Sequence, residues 1–130
     1  AFHTESTQLV SVEVYTKQGS FEGYTTSMDN WSTFAVAVVQ GEGNGRFTQI
    51  EKKHVEMSRT VRKGEMLSFY ITLTVPELRY TNGDSPNENY SINSDLSILE
   101  GLGVGTYHLS SDTKIYSPRI FNGRVDYIIH

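Results

Sequence analysis

The sequence predicts an all-β fold, a two-sheet antiparallel β-sandwich of jelly-roll type that forms a single domain over residues 1–130. Serine and threonine make up 27 of the 130 residues, beside 8 Tyr and 6 Phe, and this composition is typical of strands. Eleven glycines and three Asn-Gly pairs provide frequent turns. Apolar and polar residues alternate over short segments, which indicates half-buried strands rather than helices. A closed barrel is the alternative architecture.

The first half of the chain contains two clear strand patterns. Valines alternate with polar residues in Gln8–Thr16, which indicates a strand with one buried face. A short return strand is expected at Phe21–Tyr24. Thr33–Gln40 is almost continuously apolar, so we expect a central strand that is covered on both faces. The glycine-rich segment Gly41–Gly45 predicts a tight reversal, and Glu51–Glu56 is expected to be extended.

The second half has one strong strand pattern and several short ones. Met66–Val75 is rich in β-branched and aromatic residues, and Pro76 should end this strand because proline cannot donate a ladder hydrogen bond. A long polar loop is predicted at Asn82–Asn89. The whole chain then holds about eight to ten strands. The remaining predictions are short strands at Leu78–Tyr80, Asp95–Leu99 and Val125–Ile129, and turns at Gly101–Gly105 and Ser117–Pro118.

Charge and composition exclude several classes of function. The formal net charge is −4 and the chain has no cysteine, so a disulfide scaffold and a thiol nucleophile are excluded. Binding to nucleic acid through charge is not expected, because it requires clustered Lys and Arg. No apolar run approaches the roughly 18–20 residues of a membrane span, and no signal-peptide pattern is present. A sequence that opens on Ala1 favours a processed or partial chain.

No motif in the sequence predicts catalysis. Serine, histidine and aspartate are all present, but the nucleophile motif G-x-S-x-G is absent. In a chain with 14 serines, the presence of these residue types alone does not indicate a catalytic site. The four histidines are far apart and form neither H-x-H nor H-x-x-x-H, so we expect them to be partly exposed residues of strands or termini. We therefore expect no enzymatic activity and no cofactor. The four histidines of the chain are His3, His54, His108 and His130.

A calcium site is one alternative to this expectation. Four residues with oxygen-bearing side chains lie in or beside the predicted polar loop, and hard cations prefer such ligands. Their spacing does not match an EF-hand, and a solvated loop rich in turn-forming residues explains them equally. The four residues are Asp84, Asn87, Glu88 and Asp95.

Aromatic residues flank two predicted loops. Tyr24 and Trp31 lie on either side of one loop, and Tyr80 and Tyr90 on either side of another. Such rings could stack on sugar rings and form a carbohydrate-binding platform. In the alternative interpretation, they line the rim of the sandwich core with their polar atoms in water.

Two N-x-[ST] sequons are present, at Asn30 and Asn89. A chain with this content of asparagine, serine and threonine contains about as many by chance, so their number carries no information. Their position is more informative, because both lie in predicted polar loops where an N-glycan is tolerated. We expect both asparagines to be glycosylated.

A set of short segments also occurs in a recognisable order. Val14-Tyr15-Thr16-Lys17 comes first, followed by Gly19-Ser20, Gly23-Tyr24 and Trp31. The later segments are Leu78–Gly83, Ser94–Leu96, Glu100–Gly103, Ser117–Gly123 and Tyr127. From about Val10 to Tyr127, the ordered set resembles a β-rich module of secreted and cell-surface proteins from diatoms and other microbes. The resemblance implies an extracellular β-rich domain, and it implies no reaction and no catalytic residues.

This module begins with a further strand ahead of the part that matches Phe2–Thr4. If the present copy is complete, its sandwich lacks one strand and exposes an edge that a neighbouring subunit can fill; otherwise the chain is a fragment. The leading hypothesis is an extracellular structural glycoprotein that assembles through strand edges into a homo-oligomer, fibril or surface layer. The alternative hypothesis is a carbohydrate-binding, lectin-like module.

Overall fold

The computed structural model describes residues 1–130 and consists of β-strands and their connections, which confirms the predicted all-β class. The only helical segment is a 3₁₀ turn at Lys52–His54, and no helix is long and apolar enough to cross a membrane. The strands are β1 (Leu9–Gln18), β2 (Ser32–Gln40), β3 (Leu67–Leu73), β4 (Tyr80–Asn82), β5 (Asn89–Ile92), β6 (Ser97–Leu99), β7 (Gly101–Val104) and β8 (Ile115–Phe121).

The strands form three antiparallel sheets. Sheet 1 has the order β2-β1-β3, sheet 2 has the order β4-β8-β7, and sheet 3 pairs β5 with β6. In sheet 1, Val12 lies opposite both Ala37 and Leu73, so the alternate residues of all three strands share one buried face. This arrangement confirms the strands predicted over Gln8–Thr16 and Met66–Val75.

Strand β2 lies at an edge of sheet 1, and the prediction of a central strand covered on both faces is wrong. Its buried face carries Ala35 and Ala37, whereas Val36 and Val38 on the other face are 47% and 62% exposed. β1 takes the central position, and the connection between β7 and β8 lies on the face that carries its residue Glu13.

Sheet 2 contains two segments that the sequence predicts as turns. Gly101–Gly105 contributes strand β7, and Ser117–Pro118 lies inside β8, the central strand. A register shift accommodates the proline, because Ser117 and Pro118 together oppose the single residue Leu102. On the other side, the carbonyl oxygen of Pro118 accepts a hydrogen bond from the Gly83 amide (3.2 Å).

Three further predictions of extended structure are wrong. At Phe21–Tyr24, the amide of Tyr24 donates to the carbonyl oxygen of Phe21, which closes a turn. Glu51–Glu56 contains the 3₁₀ turn, in which the His54 amide donates to the carbonyl oxygen of Glu51 (3.0 Å). Val125–Ile129 is not a strand, since no neighbouring strand pairs with it and its side chains are exposed.

The N-terminal segment connects distant parts of the chain around a fully buried Phe2. The backbone of Phe2 exchanges two hydrogen bonds with Thr48 (2.8 and 3.0 Å), and the His3 amide donates to the carbonyl oxygen of Asn122 (3.1 Å). On the same segment, the Arg79 amide donates to the carbonyl oxygen of His3 (2.9 Å). The core around this segment comprises Phe2, Val10, Val12, Val14, Ala35, Ala37 and Leu73.

Much apolar surface lies outside this core. The chain exposes 8422 Å², whereas about 6,900 Å² is expected for a compact monomer of this mass. An open cleft of about 2330 Å³ is lined by residues of sheet 1, among them Phe34 and Phe69, and by residues of sheet 2. Apolar side chains from both sheets therefore remain in contact with solvent.

Candidate functional site

The two edge strands of sheet 1, β2 and β3, each have one side without a neighbouring strand. Neither β2 (STFAVAVVQ) nor β3 (LSFYITL) contains a charged residue or a proline, the devices that usually protect such edges. Only the beginning of the outer edge of β2 is paired, through a bridge of Ala35 with Val55 and a hydrogen bond from the Glu56 amide to the carbonyl oxygen of Phe34 (2.8 Å). The part from Val36 to Gln40 is open.

Both predicted glycosylation sites are exposed. Asn30 lies in the turn that precedes β2, as expected for a loop sequon. Asn89 is the first residue of β5, so the structure places it at a strand end rather than inside a loop. Both amide side chains are thus accessible for modification.

Of the two aromatic pairs predicted to contact sugars, the structure brings one together. The Trp31 indole Nε1 donates to the carbonyl oxygen of Tyr24 (2.8 Å), and the Lys17 ammonium lies 4.0 Å from the centre of the Tyr24 ring. Tyr80 and Tyr90 belong to different sheets, on β4 and β5, and the Tyr80 ring packs against the Arg119 guanidinium.

The residues considered for calcium do not converge. The backbone amides of Asp84 and Ser85 donate to the buried carboxylate of Glu100 (2.9 and 3.0 Å), which stabilises the turn that also contains Asn87 and Glu88. The Asp95 carboxylate instead accepts a hydrogen bond from the Tyr127 hydroxyl (2.9 Å). No group of three or more His, Asp or Glu side chains is placed to hold a metal ion.

The densest group of polar side chains lies on the outer face of sheet 1 and is centred on one carboxylate. Glu13 and Tyr15 are two residues apart on β1 and therefore point to the same side of the sheet. Tyr107 and His108 reach this face from the connection between β7 and β8. These four residues are called the Glu13 cluster below.

Each of the other three side chains of the Glu13 cluster contacts the Glu13 carboxylate. The Tyr15 hydroxyl donates to Oε2 (2.6 Å), and the Tyr107 hydroxyl donates to Oε1 (2.5 Å). The His108 Nε2 also lies 2.6 Å from Oε2, where it can only donate its proton to an ionised carboxylate. The distance from the Tyr15 hydroxyl oxygen to His108 Nε2 is 3.4 Å.

These contacts shift the pKa values within the cluster. Burial raises the pKa of Glu13, but hydrogen bonds from Tyr107, Tyr15 and His108 outweigh it and bring the pKa below its ordinary value of 4.5. Burial, together with the adjacent carboxylate, raises the pKa of the Tyr15 phenol well above 10.0. The hydrogen bond to Glu13 raises the pKa of Tyr107 as well. At neutral pH the cluster thus holds one carboxylate and two neutral phenols.

Tyr70 of β3 lies beneath this cluster. Its ring stacks on Tyr15 with 5.8 Å between centroids, and Trp31 packs against its edge at 6.0 Å. The Tyr70 hydroxyl is buried without a hydrogen-bond partner, and the Thr72 hydroxyl donates to the carbonyl oxygen of Leu73. Burial raises the pKa of Tyr70.

Sequence reasoning did not identify the Glu13 cluster. Glu13 and His108 are 95 positions apart, and nothing in the sequence distinguishes His108 from the other three histidines. One local signal was present, since Glu13 and Tyr15 share the polar face of a strongly alternating strand. The partners on that face became visible only in the folded chain.

Comparisons of this chain with protein families, curated proteins and solved structures found no match. The resemblance to the β-rich cell-surface module therefore stays a prediction.

Proposed function

We propose that this chain is a structural subunit of an extracellular assembly, and that copies of it join through the strand edges of sheet 1. The observation that carries the proposal is the pair of unprotected edges, β2 and β3. Each presents a row of backbone donors and acceptors that another strand can pair with. The partner is a second copy of the same chain, because both edges are apolar and uncharged and would select a similar strand.

The arrangement of the two edges predicts the form of the assembly. β1 occupies the centre of sheet 1, so a copy added at β2 leaves β3 free, and the same holds for the new subunit. Growth of this kind, continuing without closure into a ring, produces a filament or a layer. Pairing at Val36–Gln40 would also cover Val36 and Val38, two of the exposed valines on the outer face.

The exposed surface supports association of copies. The accessible area exceeds that expected for a compact monomer by about 1,500 Å², which is close to the area buried in a standard protein interface. Exposed apolar side chains beside the free edges, among them Val38 and Phe69, account for part of this surface. Association would remove them from water.

The two-sheet, jelly-roll-like sandwich is part of the same proposal. In it, sheets 1 and 2 form the two layers, and contacts of Leu78 and Phe121 with the core of sheet 1 support this arrangement. N-glycans on Asn30 and Asn89 would lie on the outside, as expected for an extracellular location. Val38 lies six residues beyond Ser32, the first residue of β2, and therefore about 20 Å along the strand from the end that follows the Asn30 turn.

The edge variant Val38→Lys tests the proposal. A lysine on the edge strand introduces a charge that an added strand would have to desolvate, so assembly should be lost while the monomer stays folded. The matched control is Ile92→Lys, which places the same charge on an equally exposed position of sheet 3. Sedimentation velocity and negative-stain electron microscopy should show oligomers or filaments for the wild type and Ile92→Lys only. A wild type that stays monomeric at high concentration contradicts the proposal.

A second candidate function is carbohydrate binding, and the contact between Trp31 and Tyr24 favours it. The hydrogen bond from Trp31 and the Lys17 ammonium fix two aromatic rings beside a charged group at the surface. Binding of the purified chain to polysaccharides should decrease at least tenfold in Trp31→Ala and remain unchanged in Tyr116→Ala, an exposed tyrosine outside this pair. The absence of binding to any polysaccharide rejects this candidate.

A further inference from the structure

Three atoms of the Glu13 cluster lie close enough together to bind a single metal ion. Glu13 Oε2 lies 2.6 Å from both the Tyr15 hydroxyl oxygen and His108 Nε2, and these two atoms are 3.4 Å apart. The circle through the three atoms has a radius of about 1.7 Å, which is shorter than a metal–ligand bond of about 2.0–2.1 Å. An ion can therefore lie at bonding distance from all three atoms, about 1 Å to one side of their plane.

The chemistry of the three atoms selects the kind of ion. A carboxylate and a phenol provide oxygen ligands and the histidine provides a nitrogen ligand, a mixture that suits transition metals better than calcium or magnesium. Imidazole is a common ligand of iron, and tyrosine oxygen is also an established iron ligand. Phenolate and carboxylate are hard, anionic ligands that match the high charge of the ferric ion.

We infer that the Glu13 cluster is a binding site for a ferric ion, with Glu13 Oε2, Tyr15 Oη and His108 Nε2 as its ligands from this chain. Binding breaks the O–H bond of Tyr15, releases that proton to solvent and forms an iron–phenolate bond. His108 binds through Nε2 once the proton on this nitrogen has moved to Nδ1 or to solvent. Iron keeps its ferric state throughout, and water or a small chelating anion occupies the other coordination positions.

The surroundings of these ligands favour a preformed site. Glu13 and Tyr15 project from the central strand of sheet 1, and Tyr15 stacks on the buried ring of Tyr70. Tyr107 donates to the second carboxylate oxygen, which holds the carboxylate in place as outer-shell partners of metal ligands do. Tyr107 is half exposed, so an ion has a path to the site from solvent.

Visible absorption provides a direct test, because a ferric ion bound to phenolate is coloured through charge transfer, whereas the chain alone and ferric citrate do not give this band. The purified protein is titrated with ferric citrate. The wild type should develop the band and saturate at one equivalent of iron, and Tyr15→Phe should abolish the band. Tyr107→Phe should keep the band with about 10–100-fold weaker binding, as for loss of an outer-shell hydrogen bond.

Tyr116→Phe is the matched control, since it removes an exposed phenol outside the cluster and should bind iron like the wild type. Circular dichroism of each variant establishes that it is folded. The inference is overturned if the folded wild type shows no band, or if the band persists in Tyr15→Phe. Binding of Zn²⁺ without binding of ferric iron overturns it as well.

Discussion

Glu13 and His108 are 95 positions apart in the chain, yet Glu13 Oε2 and His108 Nε2 lie 2.6 Å from each other on the outer face of sheet 1. This contact, with those of Tyr15 and Tyr107, joins the connection between β7 and β8 to the central strand β1. The same four side chains thus combine a structural role with a candidate metal site.

Replacement of the central carboxylate tests the structural role. Glu13→Gln removes the charge that accepts three hydrogen bonds, and it should lower the free energy of unfolding by about 1–3 kcal/mol. Urea denaturation measures this change. The control Glu56→Gln alters an exposed carboxylate outside the cluster and should change the stability by less than about 0.5 kcal/mol. Equal stabilities of the two variants would contradict a structural role for the cluster.

Stability should also depend on pH in the acid range. The pKa of Glu13 is lower in the folded chain than its ordinary value of 4.5, so its ionised form is favoured by folding. This contribution is fully present above pH 4.5 and is lost as the pH falls through the folded-state pKa. Urea midpoints measured from neutral pH downwards should therefore fall more steeply for the wild type than for Glu13→Gln. Parallel curves would show that Glu13 makes no such contribution.

At alkaline pH, ionisation of tyrosines should lower the stability of the fold as the pH rises. The pKa values of Tyr15, Tyr70 and Tyr107 are raised in the folded chain, so their contribution is present below pH 10.0 and is lost as the pH rises above it. In a spectrophotometric titration of phenolate absorption, three of the eight tyrosines should ionise late. Tyr15→Phe should remove one of these late groups. A single titration shared by all eight is incompatible with these shifts.

The N-terminal segment should be essential for stability because Phe2 is completely buried. Phe2→Ala leaves a cavity in the core and should reduce the free energy of unfolding by about 3–5 kcal/mol. Phe47→Ala provides the comparison. Because that ring is half exposed, its removal should lower the free energy of unfolding by less than about 1 kcal/mol. Thermal or urea denaturation distinguishes the two, and similar losses would mean that Phe2 is not part of a packed core.

Gly41 allows close approach of two backbone segments. A Cβ at this position would overlap the carbonyl oxygen of Ser6, so Gly41→Ala should destabilise the chain by about 1–3 kcal/mol. The control Gly101→Ala meets no atom within contact distance and should remain near the wild type in the same denaturation experiment. If Gly41→Ala were as stable as Gly101→Ala, the close approach of Ser6 would be in doubt.

The sequence alone determined the all-β class and the two strongest strands, β1 and β3. Alternation of side chains between the two faces of a strand is a local property, so the pattern in Gln8–Thr16 reports burial without knowledge of any partner. The same pattern in Val125–Ile129 did not produce a strand, because a strand also requires a neighbour to pair with.

Only the tertiary structure decided the edge position of β2, the place of Pro118 within a central strand, and the Glu13 cluster. Each depends on which distant segment lies beside the residues in question. β1 alone borders β2 along its length, and a register shift opposite Leu102 accommodates the proline. The connection between β7 and β8 brings His108 to Glu13. Pairing of segments far apart in sequence is set by the folding of the whole chain, and the local order of residues does not record it.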